Sequence, residues 1–403
     1  MGEAIITRRG GGKIEIVGQE IITGVLSGTV NKFDTIYVDN IINNDKLANP
    51  SNLPTSRGNG VAFSKDNIYM AVVSTSSPYI LIYKRNVDIF TKLANPSSLP
   101  TNVGNGVAFS PDGIYLAVAH QNSPYIAIYK RSGDTFTKLA NPSTLPSYTG
   151  YSITFSPDGT HMVVGHQNAP FVTIYKRSGD TFTKLANPSV LPTGDVYTVV
   201  FSPDGIYMSV VHGFAPFVTI YKRSGDTFTK LANPSVLPTG TGRGIAFSPD
   251  GIYMVVGHEN IPYMSIYKRS GDVFTKLADA TSLPNGTGND VAFSNDGIYM
   301  FLASQSYPYV CLYKFNGDVF TKLSNANILP VGAGLGVSIS QDNIYMSVSH
   351  LSSPYITIYK RNISSSNFYP ALNSTKNIFD GLGYATKAGT IGQTIDMVSI
   401  FRQ

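Results

Sequence analysis

An all-β fold, a seven-bladed β-propeller of four-stranded blades, is predicted by three observations. A pattern returns every 46 residues without insertion or deletion; each period holds four short β-type runs; and a lone fourth-strand sequence stands ahead of the first period. The period is marked by Phe63, Phe109, Phe155, Phe201, Phe247, Phe293 and Ile339, most of them opening a Phe-Ser-Pro-Asp-Gly motif or a near copy. Periods of roughly 40–50 residues made of strands close into propellers rather than helical arrays.

Residues 105–143 serve as the type unit. Gly106-Val-Ala-Phe-Ser is followed by the turn Pro111-Asp-Gly, then Ile114-Tyr-Leu-Ala-Val-Ala and a polar loop to Pro124. Tyr125-Ile-Ala-Ile-Tyr, the turn Ser132-Gly-Asp and Thr135-Phe-Thr-Lys-Leu complete it. β-branched and aromatic residues alternate within the runs and turn residues separate them, as in short antiparallel strands. No stretch holds apolar residues at helical spacing for long enough to compete.

The ends of the repeat predict how the ring closes. After Ile339 the unit continues through Tyr359, but Ser366 and Phe368 stand where a fourth strand needs Phe and Lys. Lys46-Leu-Ala-Asn-Pro lies one period before Lys92-Leu-Ala-Asn-Pro and is expected to supply that missing strand, leaving no open edge. Three segments follow: an N-terminal attachment segment, 1–32; the propeller, 33–362; and a C-terminal β-type attachment segment, 363–403. Both outer segments mix glycine with short β-type runs such as Lys13-Ile-Glu-Ile-Val and Thr394-Ile-Asp-Met-Val-Ser-Ile, and either could add strands to a partner or to the other.

Composition narrows the class. The chain of 403 residues is 42% hydrophobic, with 25 Tyr, 21 Phe and no Trp. Tyr recurs at positions 69, 115, 207, 253, 299 and 345, a packing position at which His161 is the exception. Cys311 is the one cysteine, which excludes an intrachain disulfide framework. The first residues lack the apolar core of a signal peptide and no run approaches a membrane span, so cytoplasmic synthesis and no membrane insertion are expected. The net charge of +5 is mild, and Lys-Arg pairs such as Lys130-Arg131 and Lys176-Arg177 are spread round the ring with an Asp a few residues on. A solvated rim of locally balanced charge is expected, not a nucleic-acid footprint, which needs a clustered basic face.

Candidate chemistry is repetitive. His120, His166, His212, His258 and His350 occupy one equivalent position, a blade width apart, too far to share a metal; hydrogen bonding that fixes the following loop is expected of them. The turn aspartates, from Asp66 to Asp342, are expected to accept local backbone hydrogen bonds. No carboxylate pair, Ser-His-Asp set or phosphate-cradling loop stands out, so no catalytic residue, cofactor or metal site is assigned. The loops between second and third strands vary from blade to blade, whereas residues 128–143, 174–189 and 220–235 are identical. The variable face also carries the axial residues Asn59, Asn105, Tyr151, Tyr197, Arg243, Asn289 and Leu335. Ligand binding is therefore assigned to Tyr151, Tyr197, Arg243, Asn289, Asp290, Asp195, Phe214 and Tyr307, a mixed funnel suited to a sugar or peptide.

Phe109-Ser-Pro-Asp-Gly and its copies at Phe155, Phe201 and Phe247 resemble the motifs of seven-bladed WD40-like and YVTN-type propellers, over about residues 33–362. Some propellers of that kind are lactonases. The opening Met1-Gly-Glu-Ala-Ile-Ile-Thr-Arg-Arg-Gly-Gly-Gly resembles the starts of tail and fibre proteins of phages and phage-tail-like particles. Gly383-Tyr-Ala-Thr-Lys-Ala-Gly-Thr-Ile-Gly-Gln-Thr-Ile is similar to small β-modules of virion proteins. These resemblances imply a non-enzymatic virion structural or adhesion protein. Its termini would dock to other tail proteins, its variable face would meet a cell-surface glycan or protein receptor, and it could be a homo-oligomer in the particle. A cytosolic scaffold for protein partners and a lactonase-like hydrolase are the alternatives.

Overall fold

The computed structural model describes residues 43–362 and, at the ends, the strands Ile5–Arg9, Lys13–Val17, Thr23–Val25, Ile36–Val38 and Thr394–Asp396. The propeller unit spans Asn44–Lys360. Blade two shows the pattern: inner strand Gly104–Phe109, then Tyr115–His120, Ile126–Ser132 and outer strand Thr135–Lys138, each antiparallel to the next. The other inner strands are Gly58–Phe63, Gly150–Phe155, Val196–Phe201, Gly242–Phe247, Gly288–Phe293 and Gly334–Ile339. Strand Asn43–Lys46 completes blade seven beside Ile356–Asn362, and Leu47 N–H donates to Ile358 O at 2.8 Å, as the sequence predicted. In the terminal segments, Ile5–Arg9 pairs antiparallel with Lys13–Val17, and Thr23–Val25 pairs antiparallel with Thr394–Asp396. The attachment role expected of 1–32 and 363–403 otherwise lies outside the described residues.

The core lies between blades. Second strands are buried along their whole length, and their side chains mesh with the next blade: Ala117, Ala119 and Ile128 of blade two meet Ile153, Met162 and Val164 of blade three in one cluster. Another cluster joins Val61 and Met70 of blade one to Tyr345 and Ile358 of blade seven, so the apolar contacts also close the ring. The head of the second inner strand approaches blade one so closely that a Cβ on Gly104 would stand 2.6 Å from Tyr79 O. Glycine at the head of the strand permits that approach.

Five junctions show one clamp at the turn face. Tyr115 and Lys130 of blade two both reach Asp180 of blade three, at 2.5 and 2.8 Å, while Arg177 of blade three returns to Asp112 of blade two at 2.6 Å. Arg177 also lies over the Tyr115 ring, 4.8 Å from its centroid. The same clamp closes the circle, with Tyr345 and Lys360 on Asp88 and Arg85 on Asp342. The charges expected to balance locally thus balance between neighbouring blades instead. Burial alone would raise the Asp112 carboxyl; its hydrogen bonds from Arg177 and Ser110 outweigh burial and hold it below the usual carboxylate range. His161 fills the Tyr position and keeps its function, with Nε2 2.9 Å from Asp226 Oδ1.

The five repeated histidines are fully buried. In four of them Nε2 meets a hydroxyl on the adjacent third strand: Thr173, Thr219, Ser265 and Thr357, at 2.9 to 3.0 Å. They pin strand to strand; His166 also reaches its loop, through Nδ1 and Gln167 O at 3.0 Å. Ala127 stands at the hydroxyl position of blade two, and neither ring nitrogen of His120 has a partner of normal geometry.

Candidate functional site

Seven inner strands surround an axial channel of about 700 Å³. In each of them the pairing register shifts between the first and third residues, from Gly58/Gly60 round to Gly334/Gly336. Such a bulge re-aims the extra residue. The residues at these bulges are Asn59, Asn105, Tyr151, Tyr197, Arg243, Asn289 and Leu335, and all line the channel.

Blades three to five present an aromatic and charged arc. The Tyr151 and Tyr197 rings lie 5.3 Å apart, tilted by 38°, and the Arg243 guanidinium sits 4.3 Å from the Tyr197 centroid. Arg243 is fixed by Glu259, through Nε at 3.0 Å and through a second bond from Nη2. Burial would raise the Glu259 carboxyl, but Arg243 holds it below its ordinary value. Burial, with the Asp195 charge adding to it, pushes the Tyr151 hydroxyl upward.

The amides on the other side are committed to backbone. Asn59, Asn105 and Asn289 each donate from Nδ2 to the first residue of the next inner strand, Gly104 O, Gly150 O and Gly334 O, at 2.8 to 2.9 Å. Arg57 joins the rim by donating from Nε to Asn59 Oδ1 at 2.8 Å.

Asp290 departs most from the repeat, standing where four blades carry Gly and two carry Ser152 and Thr198. Its Oδ1 accepts from Val291 N and its Oδ2 from Val337 N, both at 2.9 Å, which ties blade six to blade seven. It lines the channel with part of its surface accessible, yet dense protein around it pushes the carboxyl up to about 7 despite those two amides. Its backbone lies against Gly244, where any Cβ would collide with it. Each oxygen accepts one backbone hydrogen bond, and burial holds this channel-lining residue's carboxyl above the usual carboxylate range.

Of the residues assigned from sequence, Tyr151, Tyr197, Arg243, Asn289 and Asp290 converge on the channel. Asp195, Phe214 and Tyr307 do not line it. Asp195 accepts from Asn168 N at 3.1 Å, Phe214 is 67% exposed and covers Gly194, and Tyr307 is 61% exposed with its ring edge-on to Tyr309. Arg57 and Glu259 were missed as site residues. The signal for Glu259 was its place just after His258, which pairs with Gly242 and so sets Glu259 beside the bulge at Arg243. Among the described residues no group of three His, Cys, Asp or Glu side chains is arranged to hold a metal ion.

These features define a seven-bladed β-propeller with an axial site. The profile of the family described as lactonase, 7-bladed beta-propeller, matches residues 31–187, fewer than half of the chain. No curated protein matches. Among solved structures, the chain is similar to Kuenenia stuttgartiensis hydrazine synthase, with TM-score 0.63, 14% identity, and 78% of this chain and 98% of that chain covered. It is also similar to a putative 6-phosphogluconolactonase from Bacteroides uniformis, with TM-score 0.61, 16% identity, and coverage of 75% and 94%. At these identities the two structures share the fold.

The family match overturns the expectation of a non-enzymatic virion or adhesion protein that presents its loop face to a receptor. That expectation rested on short segments at the two ends. The match falls on the propeller itself and takes in the channel residues Arg57, Asn59, Asn105 and Tyr151. The alternative of a lactonase-like hydrolase, and with it an enzyme, has the better support.

Proposed function

We propose that the protein is a lactonase-like hydrolase whose reaction takes place in the axial channel. The match of residues 31–187 to the lactonase propellers carries this reading, and the chemistry of the channel agrees with it. Lactone opening needs a base for the attacking water and a donor for the oxygen that becomes negative. Asp290, with a carboxyl near 7, accepts the water proton as the water oxygen bonds to the carbonyl carbon. Arg243, held in place by Glu259, donates to the developing oxyanion. When the intermediate collapses, the ring C–O bond breaks and the leaving alkoxide takes the proton from Asp290, giving a hydroxy acid.

The test is release of acid from γ- and δ-lactones by the purified chain, followed by pH-stat titration. Hydrolysis above the uncatalysed rate that is lost in Asp290→Asn supports the proposal. No turnover across the panel, or full turnover by the variant, refutes it.

A further inference from the structure

The channel mouth has one apolar sector, and it stands opposite the aromatic one. Leu335 occupies the bulge position of blade seven and lines the channel. Leu351 follows His350, which pairs with Gly334, and its N–H donates to Ala333 O at 3.0 Å. It therefore stands to Leu335 as Glu259 stands to Arg243, and it is 45% exposed. Inner strands neighbour one another in chain order and the seventh returns to the first, where Phe63 N meets Ser338 Oγ at 3.3 Å. In a ring of that order, blades three and four are the farthest from blade seven, so Tyr151 and Tyr197 lie across the mouth from the two leucines. Gly213, next to Tyr197, adds no side chain over that ring.

The polar residues between these walls are partly committed within the protein. The amides of Asn59, Asn105 and Asn289 already donate to backbone carbonyls. Arg57 spends its Nε on the Asn59 amide oxygen, and Arg243 is ion-paired with Glu259. An apolar group set between the leucines and the tyrosines would gain by leaving water.

We infer that the site selects lactones carrying an apolar alkyl or aryl substituent, which sits between Tyr151 and Tyr197 on one side and Leu335 and Leu351 on the other. The inference rests on the hydrolase reading and names its substrate class. Arg243, stacked on Tyr197, places the polar end of such a ligand beside the aromatic wall.

The test compares γ-decalactone and dihydrocoumarin with γ-butyrolactone and glucono-δ-lactone, each kcat/KM divided by that lactone's uncatalysed rate. The two apolar lactones are expected to be favoured by at least about tenfold, the range that one or two buried apolar groups supply. Leu351→Ser, at an exposed position, is expected to cut that preference several-fold. Equal rates, or preference for glucono-δ-lactone, would overturn the inference and leave the hydrolase reading standing. If no lactone is hydrolysed, the hydrolase reading fails, and calorimetric titration with a 5-hexyl-2-pyrrolidinone against 2-pyrrolidinone then reads the slot. Tighter binding of the alkylated lactam supports it, and equal or absent binding refutes it.

Discussion

Replacing Ala127 by Ser should stabilise the propeller. Four blades set a hydroxyl 2.9 to 3.0 Å from Nε2 of the buried histidine; blade two sets a methyl there, and neither nitrogen of His120 has a partner of normal geometry. Ala127 pairs with Val118 as Ser265 pairs with Val256, so a serine in the Ser265 rotamer reaches His120 as Ser265 reaches His258. A buried polar group without a partner costs roughly 1–3 kcal/mol, and a restored hydrogen bond returns about 0.5–1.5 kcal/mol net. Ala127→Ser should therefore gain about 1 kcal/mol, read as a midpoint shift in urea at unchanged slope. On the scaling for larger domains, the melting temperature should rise by about 2 °C. Thr173→Ala creates the same vacancy in blade three and should shift the midpoint by a similar amount the other way. Destabilisation by Ala127→Ser, or indifference to both changes, would refute the assignment of these hydroxyls as histidine anchors.

Acid should weaken the fold before the carboxylates titrate. Burial pushes His120, His212, His258 and His350 down to about 4, and His166 is lowered too, so the unfolded chain binds more protons as pH falls below about 6.5. Stability is full above 6.5 and falls towards 4; Asp290, raised to about 7, works in the opposite sense but is one group against six, since burial lowers His161 as well. Urea midpoints from pH 7.5 to 4.5 check this, and a flat profile would contradict it. Arg131→Ala removes the 2.6 Å ion pair to Asp66 and the stacking on Tyr69, and should cost about 1 kcal/mol in the same assay, less in high salt. If Asp290 is the base, kcat/KM should rise with pH to a plateau, with half its maximum near 7.

The fold was legible because the chain repeats itself. Seven copies of one motif expose the strands, and the stray Lys46-Leu-Ala-Asn-Pro exposes the closure, without any knowledge of tertiary contacts. The junction clamps were not legible, because Tyr115 and Asp180, or Arg177 and Asp112, belong to different blades and their pairing depends on how blades stack. The channel residues were half legible. Variation at Tyr151, Tyr197 and Arg243 against a constant background marked the axis, but the bulges that aim them, and the position of Glu259 beside Arg243, follow from register. Phe214 and Tyr307 lie outside the channel lining, because variation in a loop reports position on a face, not distance from the axis. The departure of Asp290 from glycine, serine and threonine is visible in the repeat, while its elevated carboxyl depends on burial that sequence alone does not give. The function was misread where terminal resemblance was set above the propeller, the part of the chain that carries a recognisable site.

The most direct measurement of the central claim is pH-stat hydrolysis of a lactone panel by the purified protein beside Asp290→Asn, with urea midpoints for both. Asn keeps the size of the side chain and one acceptor for the blade junction. The account predicts turnover by the parent chain and its loss, by about a hundredfold or more, in a variant that remains folded. A folded variant that hydrolyses lactones as fast as the parent, or a parent chain that opens none, would contradict it.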